Sequence, residues 1–201
     1  MQYSLNTEIR EKIYRIFFII SIILCSAILL LFNVLLKDVI ITNVWVMFFN
    51  LFIAPSVGCF YSLFKWLFNT YLWKTKFFIK ITKVPNLNGK WFVRGKSSFA
   101  NGTEFTGTLN IKQTFNEITI KADFKQSVSF NTQTFLEIKD DEIVLSYYYQ
   151  NKPKQKDCEK LNIHYGFMTL TYSDSNFTGE YFNDGFRGTN GSWILERENA
   201  A

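Results

Sequence analysis

Apolar and polar positions along this chain follow two different patterns. From 16 to 36 ("IFFIISIILCSAILLLFNVLL") there is no charge over 21 residues, and from 44 to 64 ("VWVMFFNLFIAPSVGCFYSLF") there is none over another 21. At about 1.5 Å of rise per residue such a helix reaches ~31 Å, the thickness of a bilayer's hydrocarbon layer. The seven residues between the runs fit a tight helical hairpin. After Pro85 the runs stop, and short segments of alternating apolar and polar residues begin. They are 89–94, 104–114, 117–124, 127–138, 142–149, 160–172, 176–182 and 191–197.

Eight short strands with short turns predict antiparallel neighbours, and such a set can close into a barrel without exposed edges. Asn101-Gly102 and Asn190-Gly191 read as tight-turn dipeptides, and "KDD" at 139–141 as a break. An immunoglobulin-like sandwich is the competitor, and its Cys–Trp–Cys signature is missing. The expected fold is therefore a membrane α-helical hairpin followed by a small antiparallel eight-stranded β-barrel. The expected organisation is a cytoplasmic N-terminal segment 1–15, transmembrane helices 16–36 and 44–64, a basic and aromatic juxtamembrane segment 65–84, and a ligand-binding barrel 85–198.

Charge sharpens this picture. The formal net charge is +5, but residues 1–84 hold nine Lys/Arg and three Asp/Glu while residues 85–201 hold 13 and 14. The basic excess lies beside the apolar runs, which marks membrane topology and argues against binding of DNA or RNA polymers. Arg10, Lys12 and Arg15 precede the first run; Lys65, Lys74, Lys76, Lys80 and Lys83 follow the second. Both termini are thus expected on the cytoplasmic side of a cell membrane crossed twice, with Trp66, Tyr71 and Trp73 as interfacial aromatics. In the second run Ala54, Gly58 and Ser62 recur every four residues, a stripe that allows close helix approach. It packs either the hairpin's own first helix or a neighbouring molecule. Pro55 is expected to kink that helix.

Enzyme chemistry finds little support. "GKSS" at 95–98 has Lys90 where a phosphate loop needs its first glycine, and strands follow where a helix is required. Cys25, Cys59 and Cys158 form no CxxC pair, and one histidine makes no metal-ligand set, so no metal or cofactor is expected. His164 shares a strand face with Gly166, Met168, Leu170 and Tyr172, which reads as the inner wall of a barrel. Tyr147 and Tyr149 share a face with Leu145, and Tyr181 with Phe177 and Gly179. Tyrosines of this kind can stack on a nucleobase. Inward glycines are expected to leave room for a ligand. Arg94, Lys96 and Arg187 are candidates for neutralising phosphates.

Two apolar runs, a basic segment, "NLNGKWFVRG" and, near the end, "HYGFMTL", "FTGEYF" and Gly188 resemble the membrane effectors of bacterial CBASS antiphage systems, the family with two transmembrane helices and a β-strand-rich receptor domain. The likeness spans nearly the whole chain, and its most specific parts are Gly89-Lys90-Trp91, His164-x-Gly166 and Gly179-x-Tyr181-Phe182. It implies that a partner nucleotidyltransferase makes a cyclic dinucleotide, that the barrel binds it, and that homo-oligomerisation of the helices in the lipid bilayer disrupts the inner membrane and kills the infected cell. The Gly-x-Trp opening also resembles lipocalins, so a membrane-tethered carrier of a lipid or other apolar ligand is the alternative. A membrane-anchored enzyme is a third reading.

Overall fold

A computed structural model describes residues 3–4, 7–35, 56–99, 102–139, 142–154, 162–185 and 188–198. The chain divides into two compact units, Asn6–Thr75 and Lys76–Ala201 together with Met1–Leu5.

In the first unit α1 (Thr7–Leu35) runs through a stretch without Gly or Pro. It contains Ile9–Leu35, the one helix among the described residues that is long and apolar enough to cross a membrane. Ser21 keeps its hydroxyl satisfied inside this apolar run by donating to the Phe17 carbonyl at 2.7 Å. Helix α2 (Ser56–Thr70) carries on past Phe64, and a 3-10 turn (Leu72–Lys74) follows. Phe17 meets Phe68 edge-on at 5.3 Å, Phe18 meets Tyr61 at 6.0 Å, and Cys25 Sγ lies 3.1 Å from Ser56 Oγ. Positions ascending in α1 meet positions descending in α2, so the two helices pack antiparallel. The part of the second apolar run that holds Ala54 and Pro55 lies outside the described residues.

Gly58 and Ser62 are exposed, and among the described residues a Cβ at Gly58 would meet nothing within 4 Å. The contacts with α1 run through Ser56, Tyr61, Phe64 and Phe68 instead. Of the three aromatics expected at the interface, Trp66 and Tyr71 are exposed but Trp73 is fully buried, so the expectation fails for Trp73.

In the second unit α3 (Lys76–Thr82) leads into eight antiparallel strands: β2 (Gly89–Ser97), β3 (Thr103–Gln113), β4 (Ile118–Phe124), β5 (Ser127–Lys139), β6 (Glu142–Pro153), β7 (His164–Ser173), β8 (Asn176–Asn183) and β9 (Asn190–Arg197). β9 returns to β2 and β5 pairs β6, which closes the barrel and rules out the sandwich. Alternation is the cause. Trp91, Val93 and Gly95 on β2 point inward between exposed Lys90, Phe92, Arg94 and Lys96.

The seam between β4 and β5 is the irregular one. Their pairing ends at Lys121↔Phe130, where β5 bulges between Asn131 and Gln133. The Asn131 side chain accepts from Ile120 N at 2.8 Å and donates to Ile118 O at 3.1 Å, satisfying backbone groups that the bulge deprives of partners. Beyond it the two-residue β1 (Tyr3–Ser4) pairs in parallel with Thr134 and Phe135 of β5.

Two turns differ in how they are made. Asp174 and Ser175 both have positive φ, +49° and +68°, and form a two-residue turn between β7 and β8 of the kind that suits strand twist. Asn190-Gly191, expected as a turn, instead begins β9 and pairs with Phe182 and Tyr181. A Cβ at 191 would lie 2.7 Å from the Tyr181 ring and collide with the Lys96 carbonyl, so this glycine serves close strand packing and not a reversal.

Candidate ligand-binding site

The barrel's two ends differ chemically. At the end where β2 begins, Val84, Leu87, Trp91, Phe115 and Ile118 are all buried, forming an apolar plug. Gln113 ties the plug down: its Oε1 accepts from Leu87 N at 2.8 Å and its Nε2 donates to Pro85 O at 3.1 Å. Trp91 Nε1 donates to Leu87 O at 3.2 Å, and the Arg197 guanidinium lies 5.4 Å from the Trp91 ring centre. This end is shut.

The opposite end, where β7 starts and β6 and β8 finish, is polar at its margin and aromatic inside. Phe105, Phe124, Tyr181 and Trp193 form a cluster with centroid separations of 5.4 to 6.3 Å. Trp193, Tyr181 and Tyr149 retain 6–8% of their surface in solvent, whereas Met168, Leu170, Phe177 and Leu195 further in retain none. Burial among the described residues is therefore complete in the middle of the barrel and slightly less so at this aromatic end.

Hydrogen bonds set the polar margin. The Tyr149 hydroxyl donates to Asn183 Oδ1 at 2.8 Å, while Asn183 Nδ2 donates to Thr189 Oγ1 at 2.6 Å. Asn151 Nδ2 donates to Ser129 Oγ at 2.9 Å and stands opposite His164 in the ladder. His164 is buried at the first position of β7, its Nδ1 3.1 Å from the Asn162 carbonyl, and it is a wall residue of the mouth. On the rim Lys154 donates to Asp123 Oδ1 at 2.8 Å.

Two donors in the interior are unmatched. The Tyr147 hydroxyl and Trp193 Nε1 are buried and have no hydrogen-bond partner among the described residues. Such groups are rare and mark places where a ligand or water would supply the partner. Burial, helped by neighbouring Tyr149, pushes the Tyr147 hydroxyl well above the ordinary tyrosine range and keeps it a neutral donor.

The candidate residues read from sequence divide accordingly. Tyr147, Tyr149, His164 and Tyr181 all point inward and are brought together in the mouth half of the barrel. Arg94 and Lys96 do not join them. They lie on the outer face, because inward Val93 and Gly95 fix the alternation, and Arg94 is ion-paired with Glu196 on the neighbouring strand. Arg187 lies outside the described residues. The room expected beside inward glycines is already taken. Gly166 accommodates the Tyr149 ring, Gly95 the Phe105 ring and Gly107 the Phe124 ring.

Sequence reasoning missed Phe105, Phe124 and Trp193 as members of one cluster. Each sits on the apolar face of its alternating strand, but strands distant along the chain meet only once the barrel closes. Asn151, Asn183 and Lys154 gave no signal at all, since isolated Asn and Lys near strand ends are common.

Comparison with known proteins converges on the same region. A family described as Cap15, cyclic dinucleotide receptor domain, matches residues 82–197, from the end of α3 through all eight barrel strands. CD-NTase-associated protein 15 of Yersinia aleksiciae is 32% identical over 143 residues, which cover 70% of this chain and 68% of that protein. The matched segment takes in the whole closed eight-stranded barrel, and the chain belongs to the Cap15 family.

Proposed function

We propose that the chain is an antiphage effector whose barrel senses a cyclic dinucleotide and whose helices then disrupt the membrane. The observation that carries the reading is the coincidence of the receptor-family match with a closed barrel whose interior is aromatic and holds unmatched donors toward one end. A cyclic dinucleotide presents two flat bases and two phosphates. Tyr149, Tyr181, Trp193 and Phe105 offer faces and edges for the bases, at about 1–3 kcal/mol for each stacked base. Tyr147 and Trp193 hold unmatched donors toward the interior.

In this reading the ligand is made by a partner nucleotidyltransferase, and the domain is a receptor and not an enzyme. Residues 16–36 and 44–64 span the inner membrane as a hairpin, with both termini cytoplasmic and the barrel reached by an internally made messenger. A single hairpin is too small to enclose a pore, so activation requires several copies. Exposed Gly58 and Ser62, turned away from α1, support packing between molecules over packing within one hairpin.

Co-expression with a cognate cyclic-dinucleotide synthase tests the scheme. Cells should admit a membrane-impermeant dye only when both proteins are present, and leakage without any nucleotide would remove gating. Native mass spectrometry of the purified chain separates this from the carrier alternative: a bound dinucleotide supports the receptor, a copurified acyl chain the carrier. Recovery of unchanged ligand after prolonged incubation separates receptor from enzyme.

A further inference from the structure

An open cleft of about 440 Å³ in the helical unit is lined by Glu11, Tyr14, Arg15, Phe18 and Tyr61. We propose that it seats the headgroup of a phospholipid bearing both a phosphate and a primary ammonium, of the phosphatidylethanolamine type. The proposal rests on the membrane reading of α1 given above.

Glu11, Tyr14, Arg15 and Phe18 fall at positions i, i+3, i+4 and i+7 of α1, so they line one helix face. Tyr61 closes the cleft from α2, with its ring edge-on to Phe18 at 6.0 Å. Lys65, one turn further along α2, holds its ammonium 4.9 Å from the Tyr14 ring centre and 6.0 Å from that of Tyr61. Arg15 is the last charge before the uncharged run of α1, which places the cleft at the level where headgroups meet hydrocarbon.

The charges select among headgroups. Arg15, with Lys65 close by, is suited to a phosphate. Glu11 would oppose a purely anionic headgroup but accepts hydrogen bonds from a primary ammonium. A quaternary ammonium has no N–H to offer Glu11. Phe18, on the apolar side, is placed against the start of an acyl chain.

The test uses the full chain reconstituted in vesicles of equal parts phosphatidylethanolamine, phosphatidylcholine and phosphatidylglycerol, with retained lipids identified by native mass spectrometry. Phosphatidylethanolamine should be enriched about tenfold over phosphatidylcholine, the ratio expected from one charge-assisted hydrogen bond. Glu11→Gln should abolish that enrichment and Glu11→Asp should restore part of it. Arg15→Gln should lower retention of all three lipids. The helical content of the same samples, measured by circular dichroism, reports that the variants are folded. Equal retention of the three lipids by the unaltered protein would overturn the proposal alone, as would phosphatidylglycerol enrichment insensitive to Glu11→Gln. Extraction of the protein from membranes by alkaline carbonate would overturn the membrane reading and this proposal with it.

Discussion

Gly166 of β7 stands directly opposite Tyr149 of β6, and a Cβ on the glycine would collide with the tyrosine ring and hydroxyl while lying 2.6 Å from the Phe182 carbonyl. The missing side chain lets the ring lie across the barrel wall and reach Asn183. Gly166→Ala should therefore displace Tyr149, cost about 1–3 kcal/mol of stability as overpacking does, and weaken dinucleotide binding. Urea denaturation and calorimetric titration of the variant check the two effects separately.

The Tyr149–Asn183 hydrogen bond ties β6 to the end of β8 across the mouth. Tyr149→Phe keeps the stacking ring and removes the bond, which should cost about 1 kcal/mol. A double-mutant cycle with Asn183→Ala should show a coupling of similar size. Additivity of the two single effects would mean that the bond contributes nothing to the mouth's structure.

Tyr147 makes the opposite prediction. Its hydroxyl is buried without a partner among the described residues, so Tyr147→Phe should be neutral or stabilising in the ligand-free protein. The pH dependence follows with a definite sign. Burial raises the folded-state value above the ordinary tyrosine value of about 10, so above that pH the unfolded chain releases a proton that the folded chain retains. Stability contributed by this group is intact below pH ~10 and is lost as pH rises beyond it. Thermal melts from pH 8 to 11 should fall less steeply for Tyr147→Phe than for the unaltered protein.

Arg94→Gln should do little. The side chain is outside the barrel in a solvent-exposed pair with Glu196, and such pairs contribute roughly 0–1 kcal/mol. Dinucleotide affinity should be unchanged within error. A tenfold loss would place a phosphate subsite on the outer surface and contradict the inward site.

On α2, Gly58→Leu should leave the barrel's ligand affinity intact while blocking dye entry into cells that co-express the synthase. The residue is exposed and away from α1, so a bulky replacement disturbs no packing among the described residues. Full toxicity in this variant would exclude the Gly58 face from assembly.

Features that depend on local order were legible in the amino-acid sequence. The period-two alternation of 104–114 and 117–124 specified strands and the inward positions Phe105 and Phe124, and the length of the run from 16 specified a membrane-length helix. The inward placement of Tyr147, Tyr149, His164 and Tyr181 was legible for the same reason, because a face is set by spacing alone. What each face meets follows from closure of the barrel. Whether β5 would pair with β6 to close the cylinder, whether Gly166 would open a cavity or receive Tyr149, and whether Arg94 would face ligand or Glu196 all depend on partners far apart along the chain. Side chains on neighbouring strands are brought within contact by ladder register, and register is a property of the assembled sheet.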